Sequence, residues 1–550
     1  MERKNYTVAV DLGSSSVVVA VGEVREDGRM QVAAVVSKPV EGVNAGRIDN
    51  IELVSRAIRE AVSEVEAQLG IRITEAYAGI SGDFVRCARH TDHVYVSDPE
   101  TGVSQKDVDA LFDRMRNVQA PDDETIMERI PQNYMVDDNQ EVKNPVGSFG
   151  KKLSSTFNFI LCHKMPVQRL DMALKRLSIK MLGVFADALA TPEALLLPEE
   201  KEEGVAVVDL GAGVTDVTVY YRNVVRYTVS IPMGASAINR DIRTMGVPEK
   251  HVESLKRRYG SAVAELAPED KLIRVNGRTA REAKDILLRN LATVIEARAT
   301  DIAEFVQQEI KDSGYASKLA YGIVLTGGSA QLKDLDELFR RVTEMDVRVA
   351  VPDVGLADES REIVADPAYA TAAGILLKGA AQGACAVVEF ASPAAPAASA
   401  QTAQGPAVQI PAAPARTAVP RGASETRRGF VSPTAAGRPA AQPAPQPAPA
   451  PAPRPVQPRT AQPRPVQPRQ PEQPEAPAPA APTARPIRQA VPPQPEPRQP
   501  LAAPEIPEIP EEEERTVVID TRRKRDWSSI FQKAFDKVNQ SFTAAEDEEI

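Results

Sequence analysis

Thr7-Val8-Ala9-Val10-Asp11-Leu12-Gly13-Ser14-Ser15-Ser16, running on through Val17 to Val24, is echoed far downstream by Val205-Ala206-Val207-Val208-Asp209-Leu210-Gly211-Ala212-Gly213-Val214-Thr215-Asp216, running on through Val217 to Tyr221. In each copy a β-rich run ends in Asp-Leu-Gly, small or hydroxyl residues follow, and a second β-rich run begins. A short turn (Arg25 to Arg29, or Arg222-Asn223) then leads to a third strand, Met30 to Ser37 or Val224 to Ile231. This pattern predicts a β-meander with tight first turns. Its duplication predicts two related lobes rather than one sheet. Between the meanders the apolar spacing turns helical. Val54, Ala57, Ile58, Ala61, Val62, Val65 and Leu69 form one stripe, with Asn50 as the N-terminal cap and Gly70 as the stop. Further helices are predicted after Ser104, over 167–182, over 280–311 and from Leu332 to Arg341. Strands alternating with helices give an α/β fold class.

The two turns have the chemistry of a phosphate site. Phosphate oxygens need backbone N–H donors that come close, which small residues in a turn permit. A carboxylate beside them would repel phosphate unless a cation lay between, so Asp11 and Asp209 suit Mg²⁺ held mainly through water. One such turn is most simply a strand ending, but two in matching contexts point to a shared site. Both turns lead into a strand, whereas the Rossmann and Walker loops open a helix. A third element, Ala320 to Ala330, is a buried strand ending in Gly327-Gly328 before Ser329, where backbone can approach a flat ring or a phosphate.

With Asp366-Pro367-Ala368-Tyr369-Ala370-Thr371-Ala372-Ala373-Gly374 added, these motifs resemble the actin/Hsp70/sugar-kinase ATPase superfamily. Ile130-Pro131-Gln132-Asn133-Tyr134, Lys143-Asn144-Pro145-Val146-Gly147, Val294-Ile295-Glu296-Ala297-Arg298 and Gly322-Ile323-Val324-Leu325-Thr326-Gly327-Gly328 are similar to the bacterial FtsA family within it. The resemblance spans about residues 5–380. It implies an actin-like (ribonuclease H-like) two-lobed ATPase with an inserted subdomain. Residues 1–85, 164–200 and 356–390 would form the first lobe, 86–163 the insert and 201–355 the second lobe. ATP with Mg²⁺ would contact Asp11, Gly13, Ser14, Ser15, Ser16, Asp209, Gly211, Ala212, Gly213, Thr215, Gly327, Gly328 and Ser329, with Asp11 and Asp209 nearest the metal. Glu253 and Lys256 would meet the adenosine. The family's second turn reads Gly-Gly-Gly-Thr, whereas here Val214 intervenes. Either Thr215 supplies its hydroxyl one position later or phosphate contact is weaker. Turnover is therefore expected to be slow at most, with Asp209 as the candidate catalytic group.

Composition divides the chain. Of its 46 prolines, 33 fall in 391–510. A segment of that composition buries too little apolar surface to offset its ordering entropy, so 391–515 reads as a disordered linker. The first 390 residues carry a net charge of −12 out of −10 for the whole chain, because 391–510 is +6 and 511–550 is −4. An acidic head is a poor nucleic-acid binder. No apolar run reaches the ~18 residues of a membrane span, and Met-Glu-Arg-Lys-Asn-Tyr shows no secretory leader. Cys87, Cys162 and Cys385 are odd in number and far apart, which fits reduced thiols and excludes a cysteine zinc site.

Beyond the linker, Arg522-Arg523-Lys524-Arg525 precedes Trp527, Ile530, Phe531, Ala534, Phe535, Val538 and Phe542, spaced as one helical stripe. With no core of its own, a helix over 522–543 is expected to lie on anionic lipid, its basic run adding on the order of 1 kcal/mol per residue. Such an anchor binds reversibly. Assembly of many heads would raise avidity by roughly 10²–10⁴. The resemblance implies a polymerising scaffold on the cytoplasmic face of the inner membrane at the septum. It would bind itself, other division proteins and the C-terminal tail of the tubulin-like FtsZ, with Lys284 and Arg298 as tail contacts. The rivals are a small-molecule kinase of the same superfamily and a pilus-assembly ATPase-like protein.

Overall fold

The computed structural model describes residues 5–138, 140–275 and 284–389. The expected linker and the helix over 522–543 lie outside the described residues.

The first meander builds a five-stranded sheet in the order Lys180–Ala186, Glu75–Ile80, Tyr6–Leu12, Ser16–Val24, Met30–Pro39. Tyr6–Leu12 runs antiparallel to Ser16–Val24 and parallel to Glu75–Ile80. Val8, Ala9 and Val10 are all fully buried, and so are Val17 and Val19. Side chains alternate between faces, so consecutive burial means that both faces are covered. The helix Ile51–Leu69 packs on this sheet. Asn50 accepts from the amides of Glu52 and Leu53, and Gly70 closes the other end at φ 66°. The helix Ala370–Gln382 packs on the same strands.

The second meander lies in a nine-stranded sheet in the order Gln140–Val142, Glu124–Val136, Lys152–His163, Val85–Tyr95, Val224–Ile231, Thr215–Tyr221, Val205–Leu210, Ile323–Thr326, Val347–Val349. The first four strands form the inserted part. They join the rest at a single register pair, Arg86 opposite Val229. The helix Gln105–Asn117 covers one face of the insert, burying Leu111 and Met115 among Leu153, Phe157 and Phe159. A buried Arg226 bonds the insert to the strand Val224–Ile231. Its guanidinium donates to Gln132 and Asn133, while the amide of Asn158 donates to the Val225 and Arg226 carbonyls.

Two predicted helices begin or end differently. The one expected over 280–311 is Leu288–Asp312, because Lys284–Leu287 pairs as a strand with Leu272–Val275. The one expected over 167–182 is Lys164–Lys175, because Lys180 onward pairs beside Glu75–Ile80. Strand pairing outweighs local helical spacing in both places. The helix expected at Leu332 starts at Leu335, after a turn at Gly328–Gln331.

Candidate functional site

The two meander turns are built alike. Leu12 pairs with Val17 and Leu210 with Thr215, which leaves four residues in each turn. The Gly13 amide donates to the Ser16 carbonyl at 3.0 Å, and the Gly211 amide to the Val214 carbonyl at 2.9 Å. Among the described residues the amides of Ser14, Ser15, Ala212 and Gly213 have no hydrogen-bond acceptor. Free amides of this kind form an anion-binding concavity. The tips also meet. A Cβ on Gly213 would stand 2.6 Å from Ser14 Oγ and 2.8 Å from its Cβ. No side chain fits between the lobes there. We expect Gly213→Val to wedge the tips apart and to weaken binding of a phosphate-bearing ligand by about tenfold or more, read by calorimetric titration, since each amide donor it displaces would lose a charge-assisted bond.

Four carboxylates converge behind the turns. Asp11 and Asp209 occupy matching strand positions, Asp209 lies opposite Asp216 in register, and Asp187 follows the strand Lys180–Ala186. Asp209 accepts from the hydroxyls of Thr191 at 3.0 Å and Thr371 at 2.8 Å. Asp216 accepts from Ser81, whose hydroxyl lies 2.6 Å away, and from Ser230. One oxygen of the buried Asp187 has no partner among the described residues. Burial, then the charges of Asp209 and Asp216, push the Asp11 carboxyl up to about 8. Burial and Asp209 push Asp216 up to about 7. Asp187 is raised well above the carboxylate range by burial and by its three neighbours, and burial raises Asp209 against its two threonine bonds.

This set fits a hydrated divalent cation. An orphaned buried acceptor among desolvated carboxylates is relieved by positive charge. Among the described residues no three His, Cys, Asp or Glu side chains are grouped to hold a metal directly. Glycines make the room. A Cβ on Gly79 would stand 2.2 Å from the Asp187 carboxylate, and one on Gly327 2.3 Å from that of Asp209.

The raised carboxyls fix a pH dependence. A folded pKa above the unfolded value contributes stability that is complete below the unfolded pKa and is lost as pH rises through the folded one. With no cation present, the melting temperature should fall between about pH 5 and pH 8, the interval below the raised values of Asp216 and Asp11. Asp216→Asn should flatten that slope in scanning calorimetry. Asp107, held low against its burial by Ser104 and Ser97, acts in the opposite sense and only under stronger acid.

Beside the second turn lies a cavity of about 150 Å³, lined by Leu210, Ile238, Glu253, Lys256, Ser329 and Phe339 among others. Lys256 is buried and pairs with Glu253 at 2.8 Å, and Asn239 donates to the same carboxylate. Burial opposes ionisation of Glu253, but the Lys256 bond and charge outweigh it, so its pKa is lowered. The Ser329 hydroxyl donates to the Gly211 carbonyl at 3.1 Å and joins the cavity to the turn.

Two expectations need correction. The Thr215 hydroxyl does not open into the turn. It is fully buried and donates to the Met233 carbonyl at 2.8 Å, because Val214 fills the fourth turn place, as Ser16 does in the first turn, and Thr215 is already the first strand residue. Arg298 is not a surface contact. It is 7% exposed and donates to Asp241 at 2.6 Å and to Asp301 at 3.1 Å. Lys284 is exposed and donates to the Met245 carbonyl. Residues Arg522 to Phe542 lie outside the described residues. The motifs single out Asp11 and Asp209, and the structure adds Asp187 and Asp216 to them. Asp216 was legible as the residue opposite Asp209 in a four-residue hairpin, whereas Asp187 enters only through the neighbouring strand.

Twin meanders with meeting turns, a carboxylate cluster behind them and an inserted sheet define the class: an actin-like, two-lobed α/β protein. Two family models match. One, described as "Cell division protein FtsA", covers residues 206–374, and another, "SHS2 domain inserted in FTSA", covers 82–161. The FtsA proteins of Pseudomonas aeruginosa and Escherichia coli K12 are each 31% identical, over 375 and 386 residues, or 68% of this chain and 88% and 90% of theirs. The chain belongs to the FtsA family of cell division proteins. Among solved structures, a PilM–PilN type IV pilus biogenesis complex chain superposes with TM-score 0.47 at 14% identity, covering 68% of this chain and 98% of its own. Spiroplasma citri MreB5 bound to ADP superposes with 0.39 at 13%, covering 69% and 95%. Both superpositions are too loose to bear on the site.

Proposed function

We propose that this protein binds ATP with Mg²⁺ between its lobes, assembles into filaments, and ties FtsZ filaments, through their C-terminal tails, to the cytoplasmic face of the membrane at the septum. There it would recruit later division proteins. The observation that carries the reading is the meeting of two anion-binding turn tips in front of four carboxylates, with a cavity alongside. The amides of Ser14, Ser15, Ala212 and Gly213 would hold the phosphates. Glu253 and Lys256 would border the adenosine. Asp11 and Asp209 would hold the metal through water. A hydrated magnesium ion supplies charge neutralisation between phosphates and carboxylates.

Slow turnover follows from the same geometry. Asp209 is held by two threonines, and the hydroxyl of Thr215 points away. Asp187, with its unpartnered oxygen, is the better candidate to hold an attacking water. Membrane attachment rests on the apolar, base-flanked stripe from Trp527 to Phe542. No described helix is long and apolar enough to cross a membrane. The test is sedimentation and electron microscopy of the full chain with Mg-ATP and vesicles. Nucleotide-dependent filaments on lipid support the proposal. Steady phosphoryl transfer to a small molecule without filaments would replace it with a kinase.

A further inference from the structure

We propose that Gln331, oriented by Asp366, acts with Arg257 to make the cavity beside the second turn select adenine over guanine. The proposal rests on the nucleotide reading above and adds to it the groups that choose the base.

The walls of the cavity are mainly apolar. Leu210, Ile238, Ile302, Leu335 and Phe339 suit the faces of a flat heteroaromatic ring, but they cannot tell one purine from another. Discrimination falls to the polar side chains. Glu253 and Lys256 hold each other at 2.8 Å, and the Ser329 hydroxyl is bound to the Gly211 carbonyl. Gln331 and Arg257 complete the set, and both are exposed. Gln331 presents one chemical face. Its Nε2 donates to Asp366 Oδ1 at 2.9 Å and, at 3.5 Å, to the Gly328 carbonyl. A carbonyl and an ionised carboxylate only accept, so the amino end of the amide must point at them. Among the described residues the Gln331 Oε1 has no partner. Asp366 is itself fixed, since the same oxygen accepts from the Ala368 amide at 2.8 Å and caps the turn Pro367–Tyr369. That turn is tied to the glycine pair, for the Pro367 carbonyl accepts from the Gly327 amide at 3.2 Å. Gln331 therefore offers the cavity an acceptor and no donor.

Arg257, on the helix Glu249–Tyr259, has the opposite character. A guanidinium only donates, and among the described residues this one has no hydrogen bond or ion pair. Purine edges read such a pair of groups differently. Adenine carries an amino donor at C6, flanked on both sides by the acceptors N1 and N7. The Gln331 Oε1 can take an amino hydrogen, and Arg257 can donate to whichever ring nitrogen faces it. Guanine puts the acceptor O6 at the same place, so that oxygen meets oxygen at Gln331. An arginine alone would favour guanine, through O6 and N7. The fixed acceptor of Gln331 reverses that preference, because a guanine seated there leaves two desolvated acceptors unpaired.

The test is calorimetric titration of the full chain with the magnesium salts of ATP, GTP and ITP, and with tripolyphosphate as a control that has no base. Inosine has the O6 of guanine without its 2-amino group, so ITP separates the contact at C6 from steric exclusion. ATP should bind about a hundredfold more tightly than either rival. Gln331→Lys puts a donor in place of the acceptor at an exposed position and should cut that ratio by about tenfold or more. Asp366→Ala frees the amide to turn and should cut the ratio in the same direction. A merely structural role would weaken all three nucleotides alike and leave the ratio unchanged. Arg257→Ala should weaken ATP by about tenfold and leave tripolyphosphate unmoved. ITP bound as tightly as ATP by the unsubstituted chain, a ratio unmoved by Gln331→Lys or by Asp366→Ala, or equal losses of ATP and tripolyphosphate in Arg257→Ala would overturn the proposal. Failure of the underlying reading is separate: the unsubstituted chain would then bind neither ATP nor tripolyphosphate.

Discussion

Asp11→Asn is expected to weaken the proposed Mg-ATP binding by about 10–100-fold while raising the melting temperature of the nucleotide-free protein. The opposite signs come from one cause. Asp11 is ringed by Asp209, Asp216 and Asp187, and burial among them pushes its carboxyl up to about 8. Without a cation this crowding is unfavourable, and a neutral amide of the same shape relieves it. With the cation present, the carboxylate attracts metal-bound water that the amide cannot hold as strongly. Calorimetric titration with Mg-ATP and thermal unfolding without it check both halves. Lower affinity accompanied by a lower melting temperature would mean that Asp11 supports the fold rather than a charged ligand. Asp187→Asn should act likewise on stability, since its unpartnered oxygen gains nothing from the present neighbours.

The second large effect lies away from the cleft. Arg298→Met should destabilise the second lobe by about 3–5 kcal/mol, because it removes the buried partner of two carboxylates. For a folded head of this size that lowers the melting temperature by about five degrees. The guanidinium is 7% exposed, and Asp301 and Asp241 are 8% and 17% exposed, so solvent offers little screening. Arg298→Lys keeps a charge but not the two-sided fork and should fall between the two. Thermal and urea unfolding read the loss. A variant that melts normally but fails to bind an FtsZ tail peptide would return Arg298 to the role the family resemblance implied.

The chain by itself determined its local units. The meanders follow from period-2 burial and from turns that only small residues allow. The helix Ile51–Leu69 follows from its stripe, from Asn50 and from Gly70 at φ 66°. Asp11 and Asp209 were visible because each sits two residues before a turn glycine, at the same place in two copies of one motif. These signals are carried by neighbours a few residues apart, where backbone geometry decides.

Tertiary structure alone decided what meets what. Gly213 against Ser14, Ser81 on Asp216, Thr371 on Asp209, and Asp187 among the other carboxylates join residues far apart in the chain. Periodicity says which face of an element is inward, but not which partner waits there. It could not tell that Thr215 would turn its hydroxyl to Met233, that Arg298 would close on Asp241, or that Lys180 would leave a helical run to pair beside Glu75. Those outcomes depend on a buried polar group finding whichever complementary group the packed lobes bring within about 3 Å. That distance is set by the whole fold and by no segment of it.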